Sequence, residues 1–306
     1  MKILLTGKNG QVGWELQRTL ATLGEVVAVD RRGMDLANPD SIRGAIRAIR
    51  PDLIVNAAAY TAVDKAESEP DLAMAINGIA PGIMAEEAKR LGAAMIHYST
   101  DYVFDGTKAS PYTEEDAPNP LNVYGKTKLA GEQAVQAAGI PHLIFRTSWV
   151  YGLRGKNFLL TILRLAKERD ELKIVDDQVG APTWSRMIAE ATAQILAQIL
   201  MPIAHNPLRI AEVSGLYHLT AAGQTSWHGF ARAILEHPGL AAIKPLPRLV
   251  AIPGADYPLP APRPSNSGLN NKKMQQVFGL ALPAWDAALT LCCQEMNASP
   301  ESGGAA

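Results

Sequence analysis

A chain of 306 residues, 47% of them hydrophobic, buries a large core and exceeds one simple domain, so one or two domains are expected. Its 29 basic and 30 acidic side chains leave a formal net charge of -1, which excludes a nucleic-acid binder relying on a broad basic surface; any anionic ligand must be met locally. No run approaches the roughly 20 apolar residues of a membrane span, and the adjacent Cys292 and Cys293 suit neither a disulfide framework nor a metal pair, so a cytoplasmic protein without membrane or metal partner is expected.

Met1 to Thr6 read as a buried strand rather than a secretory signal. Apolar, β-branched runs at 3–5, 26–29, 53–55, 94–97 and 143–145 alternate with helical spacing over 12–23, 41–50, 72–91 and 123–138. Regular strand–helix alternation predicts an α/β fold of Rossmann type, a doubly wound parallel sheet covered by helices on both faces. After about Tyr151 the pattern changes to polar turns, helices over 158–167, 187–199 and 227–235, and a Pro-rich stretch over 245–264. We expect a first domain over 1–151, a smaller and mostly helical domain over 152–296 with segments returning to the first, and a frayed tail over 297–306.

Between the first strand and first helix lies Thr6-Gly7-Lys8-Asn9-Gly10-Gln11-Val12-Gly13. Small residues there let a pyrophosphate approach backbone N–H groups, and the helix N-terminus supplies partial positive charge. The spacing is Gly-x-x-Gly-x-x-Gly rather than the commoner Gly-x-Gly-x-x-Gly, and a ligand-free turn is the competing reading. Asp30 ends the second strand, where a carboxylate binds ribose hydroxyls; Arg31 and Arg32 follow, where a guanidinium pairs with the 2′-phosphate that Asp30 would repel. These signals oppose each other, so NADH and NADPH both stay open. Asp35 and Leu36 are placed to flank an adenine ring, while Ala59, Tyr60 and Thr61 close the third strand where small side chains let a cofactor lie against backbone.

Ser99-Thr100-Asp101 ends the fourth strand, and Tyr124 and Lys128 lie four apart on the following helix, sharing one face about one 5.4 Å turn apart. Such a pair by itself is more often solvated surface. Following a glycine turn and a strand-terminal hydroxyl, it suits carbonyl reduction: Tyr124 donates the proton, a neighbouring ammonium lowers the phenol's pKa, Lys128 also binds ribose hydroxyls, and Thr100 holds the carbonyl. Lys126, two residues on, faces elsewhere.

The combination Thr-Gly-x-x-Gly-x-x-Gly, Asn-Ala-Ala-Ala, Ser-Thr-Asp-Tyr-Val-Phe-Asp-Gly and Tyr-Gly-Lys-Thr-Lys resembles the extended short-chain dehydrogenase/reductase superfamily. Within it, Val63-Asp64-Lys65-Ala66-Glu67, Phe145-Arg146-Thr147-Ser148-Trp149-Val150-Tyr151, Asp177-Gln178-x-Gly180-Ala181-Pro182-Thr183 and Arg263-Pro264-Ser265-Asn266-Ser267 resemble the dTDP-4-dehydrorhamnose reductases. The resemblance implies NAD(P)H-dependent reduction of the 4-keto group of a dTDP-6-deoxyhexulose to dTDP-L-rhamnose. It implies further that Thr100 and Asp101 touch the sugar and that Trp149 stacks near it, with Arg263 the local candidate for the substrate's pyrophosphate. Relatives commonly carry a second basic residue where this chain has Gly268, and some use a divalent cation, so Mg2+ is an expectation of the family alone, as is a homodimer. The acidic, Pro-containing segment 104–121 either folds over the sugar or is a passive surface loop. Two alternatives remain: a reductase or epimerase of another nucleotide sugar, or a non-catalytic subunit resembling the regulatory subunit of methionine adenosyltransferase.

Overall fold

Uninterrupted apolar runs form strands buried on both faces. The computed structural model describes residues 1–200, 210–238 and 245–298, so most of the expected tail lies outside the described residues. Strands β1 (Lys2–Thr6), β2 (Glu25–Val29), β3 (Leu53–Asn56), β4 (Ala94–Thr100) and β5 (His142–Thr147) are mutually parallel. The short strands β6 (Val150–Tyr151), β7 (Glu171–Val175), β8 (Val179–Gly180) and β9 (Thr183–Trp184) lie outside this sheet, and β10 (Gly215–His218) returns to it beside β5. The order is β2-β1-β3-β4-β5-β10, which reverses direction between β1 and β3. Ligands of open parallel sheets gather at the carboxyl ends of the strands at that reversal.

Helices α1 (Gln11–Thr19), α2 (Pro39–Ile49), α3 (Val63–Ala66), α4 (Pro70–Met74), α5 (Ala80–Leu91), α6 (Val123–Ala137), α7 (Phe158–Glu168) and α8 (Ser185–Leu200) precede β10. After it come β11 (Thr225–Ser226), α9 (Trp227–Glu236), β12 (Arg248–Ile252), α10 (Lys272–Phe278) and α11 (Trp285–Ala298). Ile3 and Leu5 point to one face of the sheet, where Leu16 of α1, Ile188 and Ile195 of α8 and Met274 of α10 cover them. Leu4 points to the other, under Ile42 of α2, Met84 of α5 and Val135 of α6, as the two-residue period of a strand requires. A separate core joins Leu159 and Ile162 of α7, Phe230 and Ile234 of α9 and Leu289 of α11.

Three local features depart from the sequence reading. The helix expected over 72–91 is interrupted by a π-helical turn at Ala75–Ile79 between α4 and α5. Gly78 approaches α6 so closely there that a Cβ would lie 3.3 Å from Ala130 Cβ. Strand β10 is too short to announce itself in sequence, and β12, inside the Pro-rich stretch, forms a parallel pair with β7.

Candidate active site

The turn after β1 is shaped by contact as much as by chain reversal. Gly7 has φ 72°, and a Cβ on it would come within 2.9 Å of the Ala58 backbone; a Cβ on Gly13 would fall 2.1 Å from the Gly7 carbonyl oxygen. At the α1 N-terminus the N-cap Gly10 offers no side-chain acceptor and the first turn carries no acidic residue, which suits these N–H groups to a ligand anion. The turn borders a cleft of about 300 Å³ at the β1/β3 reversal.

Of the residues expected to touch a cofactor, Gly7, Gly10, Asp30, Arg31, Asp35, Leu36 and Ala59 line this cleft. Met34 and Ile76, not singled out from sequence, add apolar wall. The others do not line it. Gln11 donates to the Val150 carbonyl at 3.3 Å and accepts from Asn157 at 2.9 Å, tying α1 to the chain after β6. Val12 packs into the core and Gly13 is buried, whereas Tyr60 donates to Glu69 Oε2 at 2.6 Å and Thr61 is exposed. Desolvation pushes the Asp30 carboxyl up, but N–H donors from Arg32 and Gly33 and the Lys8 ammonium, 3.4 Å away, outweigh it and hold the group below its usual range. Arg31 leans on Asp35 at 3.5 Å, at the rim of the same cleft.

Thr100 ends β4 and Tyr124 opens α6, whose N-cap Asn122 accepts the Gly125 N–H at 2.8 Å. A Cβ on Gly125 would lie 2.1 Å from the Tyr102 carbonyl oxygen, so only glycine lets α6 approach the turn after β4 this closely. The Thr100 hydroxyl accepts from the Tyr102 N–H at 3.2 Å, donates to Asp101 Oδ1 at 3.0 Å and lies beside the Tyr124 phenol. Burial pushes the Tyr124 phenol up to about 12; the Thr100 hydroxyl opposes this and the Asp101 carboxylate adds to it.

Lys128 behaves differently from the sequence expectation. Its ammonium, on a side chain 2% exposed, donates to the Tyr98 carbonyl at 2.6 Å and lies 3.4 Å from His97 Nε2. It is therefore directed onto β4, and the phenol's pKa is raised by burial rather than lowered by a neighbouring cation. Burial lowers Lys128 to about 8, against the pull of Glu132. Lys126 is exposed.

Among the residues assigned to substrate, Asp101 adjoins Thr100 and is 2% exposed; burial pushes its carboxyl up to about 7, with Ser267 and Thr100 opposing. Trp149 holds a left-handed φ of 46° and stacks on Trp227 at 3.4 Å between ring centroids, 2° from parallel. Arg263 is not a free cation: its guanidinium grips Asp64 at 3.0 and 2.8 Å. It borders a second cleft of about 370 Å³ with Asp177, Gln178 and Tyr257. The 104–121 segment is anchored, with Tyr112 N–H on the Gly268 carbonyl at 2.8 Å and Glu114 accepting the His218 N–H at 2.8 Å. Among the described residues no group of three or more His, Cys, Asp or Glu is placed to hold a metal ion, so the magnesium implied by resemblance finds no ligand set there. No helix of the described residues is long and apolar enough to cross a membrane.

Sequence reasoning passed over Asn77, His97, Trp227 and Ser267. Asn77 is buried in the π-helical turn and bonds Tyr60 N–H, the Tyr60 carbonyl and Thr127, fastening the end of β3 to α6. An Asn beside Gly78 and ahead of Pro81 in the otherwise apolar stretch 72–85 was the available signal.

Residues 1–298 match the family model described as the RmlD substrate binding domain. A dTDP-4-dehydrorhamnose reductase of Burkholderia thailandensis is 53% identical over 300 residues, covering 97% of this chain and 99% of that protein. The chain belongs to the dTDP-4-dehydrorhamnose reductase family. It is thereby an oxidoreductase, and the non-catalytic alternative is set aside. The crystal structure of a family member from Clostridium acetobutylicum superimposes with a TM-score of 0.87 at 36% identity, covering 97% of this chain and 99% of that one. A Bacillus anthracis member solved in complex with NADP gives 0.86 at 33% identity, covering 96% and 99%.

Proposed function

We propose that this reductase converts dTDP-4-dehydro-6-deoxy-L-mannose to dTDP-L-rhamnose with NADPH or NADH, Tyr124 being the proton donor. The placement of the Thr100 hydroxyl beside a Tyr124 phenol kept protonated by burial carries the mechanistic part of this reading. The family's relatives carry the choice of sugar.

Reduction needs a hydride, which the nicotinamide supplies when bound, and a proton for the alkoxide that develops on the former carbonyl oxygen. A phenol with a raised pKa holds its proton until that oxygen becomes basic, and then gives it up. Thr100 orients the carbonyl toward Tyr124 by hydrogen bonding, and Asp101 and Trp149 bound the sugar. In the cleft, the first-turn N–H groups of α1, at Gln11 and Val12, take the pyrophosphate, since the Gly10 N–H is spent on the Gly7 carbonyl, and Leu36 and Ala59 contact the adenosine. Asp30 favours a free ribose hydroxyl, while Arg31 and Lys8 favour a 2′-phosphate, so both cofactors are accepted. Arg263, already bound to Asp64, acts on the substrate by shaping the second cleft and contributes little net charge. A domain over 1–151 for the cofactor, one mainly over 152–296 for the substrate, a homodimer and a cytoplasmic setting belong to the same proposal.

Incubation with dTDP-4-dehydrorhamnose and either reduced cofactor is expected to consume the cofactor and yield dTDP-rhamnose, measured by reduced-nicotinamide absorbance and product chromatography. Tight cofactor binding without its oxidation in the presence of that sugar overturns the substrate assignment.

A further inference from the structure

Thr6, Asn56 and His97 form one row across the sheet: Thr6 is registered with Asn56 across β1 and β3, and Asn56 with His97 across β3 and β4. Aligned residues of neighbouring strands point to the same face, and in a parallel sheet covered by helices such a row is normally apolar. Here it is polar and dry, with exposures of 2%, 0% and 0%, and it ends on the buried Lys128 reaching down from α6.

The proton positions along the row follow from its geometry. The Ala58 N–H donates to Thr6 Oγ1 at 3.3 Å, and the Thr6 hydroxyl lies 2.6 Å from Asn56 Oδ1. That separation suits an O–H···O bond and is short for an amide N–H donor, so the Asn56 oxygen faces Thr6 and its nitrogen faces His97. Asn56 Nδ2 is 3.0 Å from His97 Nδ1, and an amide nitrogen only donates; the neutral ring therefore carries its proton on Nε2. Nε2 in turn lies 3.4 Å from Lys128 Nζ, which donates to the Tyr98 carbonyl.

We propose that His97 is a positioning residue for the reduction: Thr6 and Asn56 lock it as the Nε2–H tautomer, and that N–H, with the Tyr98 carbonyl, fixes the Lys128 nitrogen. An N–H facing an amine is a hydrogen bond, whereas the same N–H facing an ammonium is a repulsion, so the locked tautomer favours the uncharged lysine. Burial acts in the same direction. Besides His97, the titratable groups around Lys128 include Tyr124, the exposed Lys126 and Glu132 on its own helix, Tyr98 on β4, whose hydroxyl is bonded to Thr192, Asp101 and Tyr102 on the turn after β4, and Arg146 on β5. Glu132 favours the ammonium, but both its oxygens are engaged by Arg146 at 2.9 and 2.6 Å. Thr6 and Ala58 also line the cofactor cleft, so the row joins the glycine turn to the lysine by direct contacts.

The test has two arms. In the ligand-free full chain, imidazole 15N shifts are expected to show His97 as a neutral Nε2–H ring near neutral pH; an Nδ1–H ring or an imidazolium overturns the proposal. The kinetic arm rests on the reductase reading. His97→Gln keeps a donor near the Nε2 position and is expected to stay within about threefold of the parent kcat. His97→Leu is expected to lose about tenfold or more in kcat with the sugar KM unchanged, and the pH limb set by Lys128 to move upward, because loss of the N–H favours the ammonium. A purely structural role leaves kcat per folded molecule and the pH profile of His97→Leu at parent values, and that result overturns the proposal. If His97→Leu does not fold, the 15N arm decides. A parent enzyme that turns over no dTDP-sugar defeats the reductase reading and leaves the tautomer measurement intact, so the two failures are distinguishable.

Discussion

In the proposed reduction Tyr124 keeps its proton until an alkoxide develops, and burial, which raises the phenol's pKa, favours this. The pair Tyr124 and Lys128 was legible from i,i+4 spacing, but spacing shows only a shared helix face, not where a flexible ammonium ends up; the Tyr98 carbonyl and His97 decide that. Tyr124→Phe is expected to lower kcat at least about 10²-fold, the usual effect of losing a general acid, with cofactor affinity largely retained because the cleft at the glycine turn holds most of the cofactor's proposed contacts. Steady-state rates and cofactor titration check both halves. Asp101 gives a pH signature in stability. Its folded pKa is raised to about 7 from an ordinary 3.8, so its contribution is fully present below about 3.8 and is lost as the pH rises through 7. Asp101→Asn lacks that titration; its melting temperature relative to the parent is expected to climb between those pH values, and a constant difference would refute the burial account.

Helix α1 and helix α6 each reach their sites through a glycine. Gly13 was recognised from the motif, but its reason is steric as well as electrostatic: the Gly7 carbonyl occupies the volume a side chain would need, at 2.1 Å. Gly13→Ala is therefore expected to destabilise the protein by about 1–3 kcal/mol, the usual cost of overpacking, and to weaken cofactor binding by displacing the α1 N-terminus. Denaturant unfolding and NADPH titration measure the two effects; an unchanged affinity would separate the glycine turn from the cofactor. The π-helical turn at Ala75–Ile79 was illegible because hydrophobic periodicity does not register one extra residue per turn. Only the contacts of Asn77 and Gly78 with α6 and the β3 end explain it.

At the scale of the molecule, strand–helix alternation through residue 147 was enough to place the first five strands in a parallel sheet, because each buried strand needs an apolar run and each crossover an amphipathic helix. The return of β10 to that sheet and the packing of α8 on α1 were not, since a four-residue strand carries too little pattern to name its neighbour. The sequence by itself determined the fold class, the glycine turn and the family, for these depend on local residue types at local spacings. Tertiary structure alone decided that Arg263 is spent on Asp64, that Trp149 lies on Trp227, and that Lys128 ends a polar row begun at Thr6. Those pairings join residues far apart in the chain, and a long side chain takes the partner that burial brings within reach.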